Sequence, residues 1–288
     1  VFEDIARIEV IRGPGGAVWG SNAVNGVVNI ITKKAKDNQG GSVSAGGGNT
    51  EKIATLSYGG KVNESLYFHG AAKTFDRKSA RLANGANGND DASSGRVNLR
   101  LDWQLSDNDA LSIFGEVFDG HNNRGMNIPD NNSFTFVEVD SRTDTSGNYI
   151  MFDWQHDYID DSGKDGHSKL RFFYDQTERH DRIEADVNSE TFDLEYQHQA
   201  YFFDHHSVSW GLGYRLNKVT GDATSEMISF AIEASGYAIF SAHIQDEITL
   251  DDDDSLFLTL GSKFEDAETA DNGIEVQPTV RIRKSWTD

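Results

Sequence analysis

The feature that most restricts this chain is a two-residue alternation of apolar and polar side chains carried through long segments. Val97-Asn98-Leu99-Arg100-Leu101-Asp102-Trp103-Gln104-Leu105 alternates without a fault. Phe192-Asp193-Leu194-Glu195-Tyr196-Gln197 and Val280-Arg281-Ile282-Arg283 do the same, as does Phe240-Ser241-Ala242-His243-Ile244-Gln245 until Asp246 breaks the apolar row. Successive side chains of a strand point to opposite faces, so this period builds a sheet with one apolar and one polar face. The polar face is rich in ionisable groups, among them Arg100, Asp102, Asp193, Glu195, Glu247, Arg281 and Arg283. Aromatics stand at many strand ends of the apolar face: Trp103, Phe152, Trp154, Tyr196, Trp210, Tyr214 and Trp286. A soluble sandwich also has two unlike faces, so length must help decide. Many of these segments reach about ten residues, against about 5–6 in globular sheets.

Strands are expected near 41–48, 52–61, 65–77, 95–105, 110–121, 147–159, 168–180, 189–203, 207–219, 236–250, 255–268 and 274–287. Their connectors fall into two alternating sets. One is short: Val62 to Glu64, Ser106 to Asp109, Asp160 to His167, Asp204 to His206 and Asp251 to Asp254. The other holds the long stretches 78–94, 122–146 and 220–235, with shorter exceptions at Asn49 to Glu51, Asp181 to Asn188 and Thr269 to Gly273. Short turns on one side and long loops on the other is the up-and-down pattern of an outer-membrane barrel. A Greek-key sandwich has no reason to keep that parity. Ala83-Asn84-Gly85-Ala86-Asn87-Gly88-Asn89-Asp90-Asp91 reads as a solvated loop that buries no core.

Composition removes other classes. The chain has 288 residues, with 47 acidic against 26 basic side chains and a formal charge of −21. That balance argues against a nucleic-acid partner, whose phosphates need clustered Lys and Arg. The absence of Cys excludes disulfides and thiolate metal sites. No run approaches the ~20 apolar residues of a membrane helix, but a barrel strand crosses with ~9–11 residues of which every second is apolar. The start at Val1, without Met or signal peptide, reads as truncation or maturation.

The first 36 residues differ from the rest. Ile8, Val10 and Arg12 alternate with Glu9 and Ile11, Gly13-Pro14-Gly15-Gly16 forces a turn, Ser21 to Gly26 makes a second turn region, and Val27-Val28-Asn29-Ile30-Ile31 is a β-branched strand. The run from Ile5 through Gly20 and Gly26 to Lys33 resembles the C-terminal signature of the plug domain of TonB-dependent receptors. Its form there is close to I-E-R-I-E-V-I-R-G-P, a small-residue stretch with an aromatic and Gly, then G-G-V-I-N-I-I-T-K. Ala6 replaces the usual Glu, and Asn25 the usual Gly before Gly26. The match runs about 30 residues without a gap.

The resemblance implies an all-β membrane barrel, here about 12 antiparallel up-and-down strands over 41–288, preceded over 1–36 by a small α+β remnant of the plug. It implies a multi-pass protein of the Gram-negative outer membrane, among lipid and lipopolysaccharide. Such a receptor takes up a ferric siderophore, haem or cobalamin with energy from the TonB complex. The plug fills a barrel of about 22 strands, so about ten strands, the earlier plug and the TonB-contacting box are expected outside this sequence. No catalytic step, cofactor or metal is called for. Arg12, with Glu9, is expected as a plug-to-wall contact, and Gly13, Pro14, Gly15, Gly16, Gly20 and Gly26 as plug turns.

The other motifs are weaker. Gly13-Pro14-Gly15-Gly16 lacks the third Gly of a dinucleotide fingerprint, since position 18 is Val18, and Gly15 to Gly20 is followed by Ser21-Asn22 where a phosphate loop needs Lys-Ser/Thr. Nine His residues show no helical pair with metal spacing. Asp251 to Asp254 lacks the Gly and distal Glu of a calcium loop, which leaves a solvated turn. His121, Asn123 and Arg124, in the expected loop 122–146, are the candidates for ligand contact. The competing readings are a soluble or surface β-rich module, for instance glycan-binding, which would purify without detergent, and a passive porin, which leaves residues 1–33 unexplained.

Overall fold

The computed structural model describes residues 4–12, 26–130, 135–160, 163–203, 205–223, 232–253, 255–268 and 273–285. Two sheets form. In the first, β1 (Ile5–Arg12) pairs antiparallel with β2 (Gly26–Thr32), and a 3-10 turn, Ala35–Asp37, follows. The second holds β3 (Gly40–Gly47), β4 (Glu51–Lys61), β5 (Leu66–Arg77), β6 (Ala92–Gln104), β7 (Asp109–Asp130), β8 (Thr135–Ile159), β9 (Asp165–Asp181), β10 (Ala185–Phe202), β11 (His206–Ala223), β12 (Ile232–Thr249), β13 (Leu256–Ala267) and β14 (Glu275–Lys284). Each strand pairs with its sequence neighbours, without crossover, and the sheet ends at β3 and β14. The expected α+β character of residues 1–36 shows, among the described residues, only as the two strands and the 3-10 turn.

Alternation fixes the register, because a slip of one residue would move every apolar side chain to the wrong face. Leu101, Ile113, Phe152, Phe172, Leu194, Tyr214 and Phe240 stand in one continuous row across β6 to β12. The neighbouring row on the opposite face reads Asp102, Ser112, Asp153, Arg171, Glu195, Gly213, Ser241 and Glu265. The first face stays uncovered: Leu212 and Phe240 are each 57% exposed and Val280 is 72% exposed. The second carries ion pairs such as Arg171–Asp153 at 2.7 Å, Lys263–Glu265 at 2.8 Å and Arg215–Asp193 at 2.7 Å. An apolar outer face and an ionised inner face invert a water-soluble sheet and match a strand wall between lipid and a polar lumen. On β11 the outer residues Val208 to Leu216 cover the ~9–11 residues that a tilted strand needs to cross a bilayer.

One expectation fails. Most of the expected loop 122–146 is strand: β7 and β8 pair from Asn122↔Thr143 out to Asp130↔Thr135. The Asn- and Asp-rich composition hid an alternation in which Met126 faces Val139 and Ile128 faces Val137. β6 stops pairing with β7 at Asn122 and β9 stops pairing with β8 at Thr143, so the pair projects beyond its neighbours as a ribbon. At ~3.4 Å per residue its eight further pairs extend about 27 Å. The loop at 220–235 is likewise narrowed by β11 and β12.

Candidate functional site

The N-terminal piece docks on the inner face of β4, β5 and β6 through polar side chains. Asp4, 7% exposed, accepts from Asn98 Nδ2 at 3.2 Å and from Asn38 Nδ2 at 3.4 Å. Asn38 Nδ2 also donates to His69 Nε2 at 3.0 Å. A donor on Nε2 places the ring proton on Nδ1, which lies 3.7 Å from Asp4 Oδ1. Further along, the Ala35 amide donates to Asp102 Oδ2 at 2.6 Å, and Ala35 itself is fully buried. Asp102 also accepts from Ser112 Oγ at 2.7 Å and from Arg100 Nε at 2.9 Å, while Arg100 Nη1 donates to Thr32 Oγ1 at 2.8 Å. Strand alternation aims Asn98, Arg100 and Asp102 at the same side, and each meets a partner there.

The fit is close at Gly59. A Cβ on this residue would collide with the Asn38 carbonyl oxygen and stand 3.0 Å from its carbon. Gly59→Ala is therefore expected to lift Asn38 and the Ala35–Asp37 turn off the wall, at a cost of about 1–3 kcal/mol. Faster amide exchange over residues 35–39 in the variant would register the loss, and unchanged exchange would show that the wall yields instead.

Beside this contact lies a cavity of about 580 Å³, lined by Ile5, Thr32, Phe75, Arg96, Phe114 and Tyr149 among others. Tyr149 stacks on Phe114 with centroids 5.3 Å apart, and Arg96 pairs with Glu116 at 3.6 Å. The cavity thus joins aromatic surface to a charge pair on the inner face.

A second polar centre sits at the base of the ribbon, beyond the apolar band. The Asp181 side chain is fully buried. It accepts from Thr143 Oγ1 at 2.6 Å, Ser141 Oγ at 3.0 Å, the Ile183 and Glu184 amides at 3.0 Å each, and Arg124 Nη2 at 2.9 Å. Arg124 also reaches Glu184 at 2.6 Å, and Arg179 reaches the same carboxylate at 3.0 Å. Burial pushes the Asp181 carboxyl up, but the hydroxyl and amide donors outweigh it and hold the group well below the usual carboxylate range.

The sequence candidates are distributed as follows. Glu9 bonds Arg7 at 2.6 Å and Asn29 at 3.1 Å within its own two-stranded sheet. Arg12 ends β1, exposed and opposite Gly26. Gly13, Pro14, Gly15, Gly16 and Gly20 lie outside the described residues. Gly26 has φ +151°, and a Cβ there would approach the Ile11 carbonyl oxygen to 2.5 Å, so only Gly suits. Arg124 faces inward to Asp181. His121 and Asn123 face outward on the same strand: Ser93 Oγ lies 3.1 Å from His121 Nδ1, and Asn123 Nδ2 donates to Asp91 Oδ2 at 2.9 Å. The three are not brought together on one face. Asp251 caps its own turn, accepting from the Ser255 and Leu256 amides at 2.8 and 2.9 Å. Asp4, His69, Asn98, Asp102 and Asp181 were not singled out as site residues. Only Asp102 gave a hint, as an ionised member of an alternating strand.

No family model matches the chain. It is 51% identical over 54 residues to the vitamin B12 transporter BtuB of Vibrio vulnificus, covering 18% of this chain and 9% of that protein. It is 35% identical over 122 residues to the ferric enterobactin receptor PirA of Pseudomonas aeruginosa, covering 36% and 16%. The crystal structure of the siderophore receptor PirA from Acinetobacter baumannii superposes with a TM-score of 0.72 at 20% identity, over 99% of this chain and 46% of that one. Over these stretches the chain is similar to TonB-dependent outer-membrane receptors, and it shares the fold of the solved one. It spans less than half the length of the solved receptor it matches. In that fold its uncovered apolar face corresponds to the outer side of the barrel wall and its ionised face to the lumen side.

Proposed function

We propose that this chain is part of an active-transport receptor for a scarce nutrient of the ferric siderophore, haem or cobalamin class, driven by the TonB complex. In this reading residues 1–36 are the last part of the plug and residues 41–288 part of the barrel. The observation that carries it is the docking of the N-terminal piece on the lumen face, through Asp4, Ala35 and Thr32, where an open pore would be water. Relatives named for vitamin B12 and for ferric enterobactin support the ligand class. The ligand would enter past the ribbon that carries His121, Asn123 and Arg124 and reach the aromatic cavity beside the plug. Arg12, exposed at the end of β1, is proposed to meet the barrel wall together with Glu9, which bonds Arg7 and Asn29 within the two-stranded sheet.

Uptake by the full-length receptor decides between pumped and passive transport. Cells expressing it, given labelled ferric siderophore or cobalamin under limitation, should accumulate label, and loss of TonB should abolish accumulation while surface binding persists. Entry that continues without TonB in proportion to concentration would favour a passive pore.

A further inference from the structure

On the side of the short turns the outer face mixes polar and aromatic residues with the apolar ones. One row there reads Asp109, His156, Ser168, His198 and Trp210 across β7 to β11. It lies one step beyond the row of Trp103, Trp154 and Tyr196, near the end of the apolar band, with only the row of Tyr158, Gly166, Ala200 and Val208 between it and the turns. His156 Nδ1 lies 2.9 Å from Asp109 Oδ1, and Trp154 Nε1 donates to the same oxygen at 3.2 Å. His198 Nδ1 lies 2.9 Å from Ser168 Oγ, and its Nε2 lies 3.3 Å from the Tyr158 hydroxyl. The rings make a shelf. Trp154, His156, Tyr158 and His198 follow one another with centroids 5.8, 6.0 and 6.0 Å apart and interplanar angles of 15°, 21° and 14°, and Trp210 closes on His198 at 5.7 Å.

An aromatic belt alone would serve any lipid. This shelf is selective because of its charge. Its own carboxylate is Asp109, and the turns beside it carry Asp107 and Asp160 against Lys164, while Asp157 and Asp165 stand at the strand ends on the opposite face. A phosphate with no compensating cation is repelled there, whereas an ammonium meets carboxylates and ring faces together. In a barrel of this kind the short turns face the periplasm.

We propose that this shelf binds the ammonium headgroup of a zwitterionic phospholipid, phosphatidylethanolamine, in the periplasmic leaflet of the outer membrane. The proposal rests on the membrane-barrel reading above. The test uses the full-length receptor in nanodiscs holding equal phosphatidylethanolamine and phosphatidylglycerol, with the lipids retained after release counted by native mass spectrometry. Phosphatidylethanolamine should be enriched about five-fold, equivalent to about 1 kcal/mol. Asp109→Asn, which keeps the hydrogen-bonding shape, and the double variant Tyr158→Ala with His198→Ala should each bring the ratio toward one. Equal retention by the unmodified receptor, or enrichment unchanged in both variants, overturns the site alone. A receptor recovered from cells without detergent overturns the barrel reading and the site with it.

Discussion

Replacing Asp181 by alanine is expected to free the β7–β8 ribbon from the wall and to cost about 3 kcal/mol at its base. Glu184 still pairs with Arg124 and Arg179, but it does not replace this carboxylate for the hydroxyls and amides that Asp181 gathers. Two hydroxyls and two backbone amides point at it, and Arg124 and Arg179 stand at 2.9 and 3.4 Å. Deletion leaves those donors facing a void that water enters poorly, because the side chain is fully shielded. Amide exchange at Arg142 and Thr143, where the ribbon leaves the sheet, should rise about 100-fold. Unchanged exchange would mean that strand pairing alone holds the ribbon. The pH dependence has a defined sign. The folded carboxyl titrates below its ordinary value of 3.8, so its stabilisation is complete above that value and is lost as pH falls through and below it. Ribbon protection should therefore stay level from neutral pH down to about pH 4 and fall only in stronger acid. Asp181→Asn, which cannot titrate, should abolish that acid step.

Most of the wall was legible because a barrel strand writes its faces directly into the sequence. Asp102 and Trp103 are neighbours in the chain and part to opposite sides of the sheet, and twelve strands stand where twelve alternating runs stand. The ribbon was not legible for a physical reason. Outside the membrane both faces of a strand meet water, so Asn123, Asn127 and Asp140 are tolerated on β7 and β8 and the contrast between faces fades. The docking contact was hidden differently. Asp4, Asn38, His69 and Asn98 come from four separate places in the chain, and each looks ordinary alone. Arg12 drew the eye as the charged residue of a strong motif, whereas the described contacts run through a buried Asp4 and a backbone amide at Ala35.

That contrast makes Asp102 the place to test how the N-terminal piece is held. Asp102 has three dependants: the Ala35 amide, the Ser112 hydroxyl and the Arg100 guanidinium, which in turn holds Thr32 at the end of β2. Its side chain is 16% exposed, as is that of Arg100, so solvent offers little compensation. Asp102→Ala leaves a largely desolvated cation and an unpaired amide, and about 3–4 kcal/mol of local docking should be lost. Amide exchange over residues 32–39 should accelerate by about 100-fold or more while strands β9 to β12 remain protected. In cells carrying the full-length receptor, antibiotics too large for ordinary pores should gain entry. Arg100→Ala together with Asp102→Ala should cost less than the two single changes added, because the pair depends on itself. Arg12→Ala provides the comparison. If it loosens residues 32–39 more than Asp102→Ala does, the principal anchor lies beyond β1, and the polar cluster on β4 to β6 only guides the chain to it.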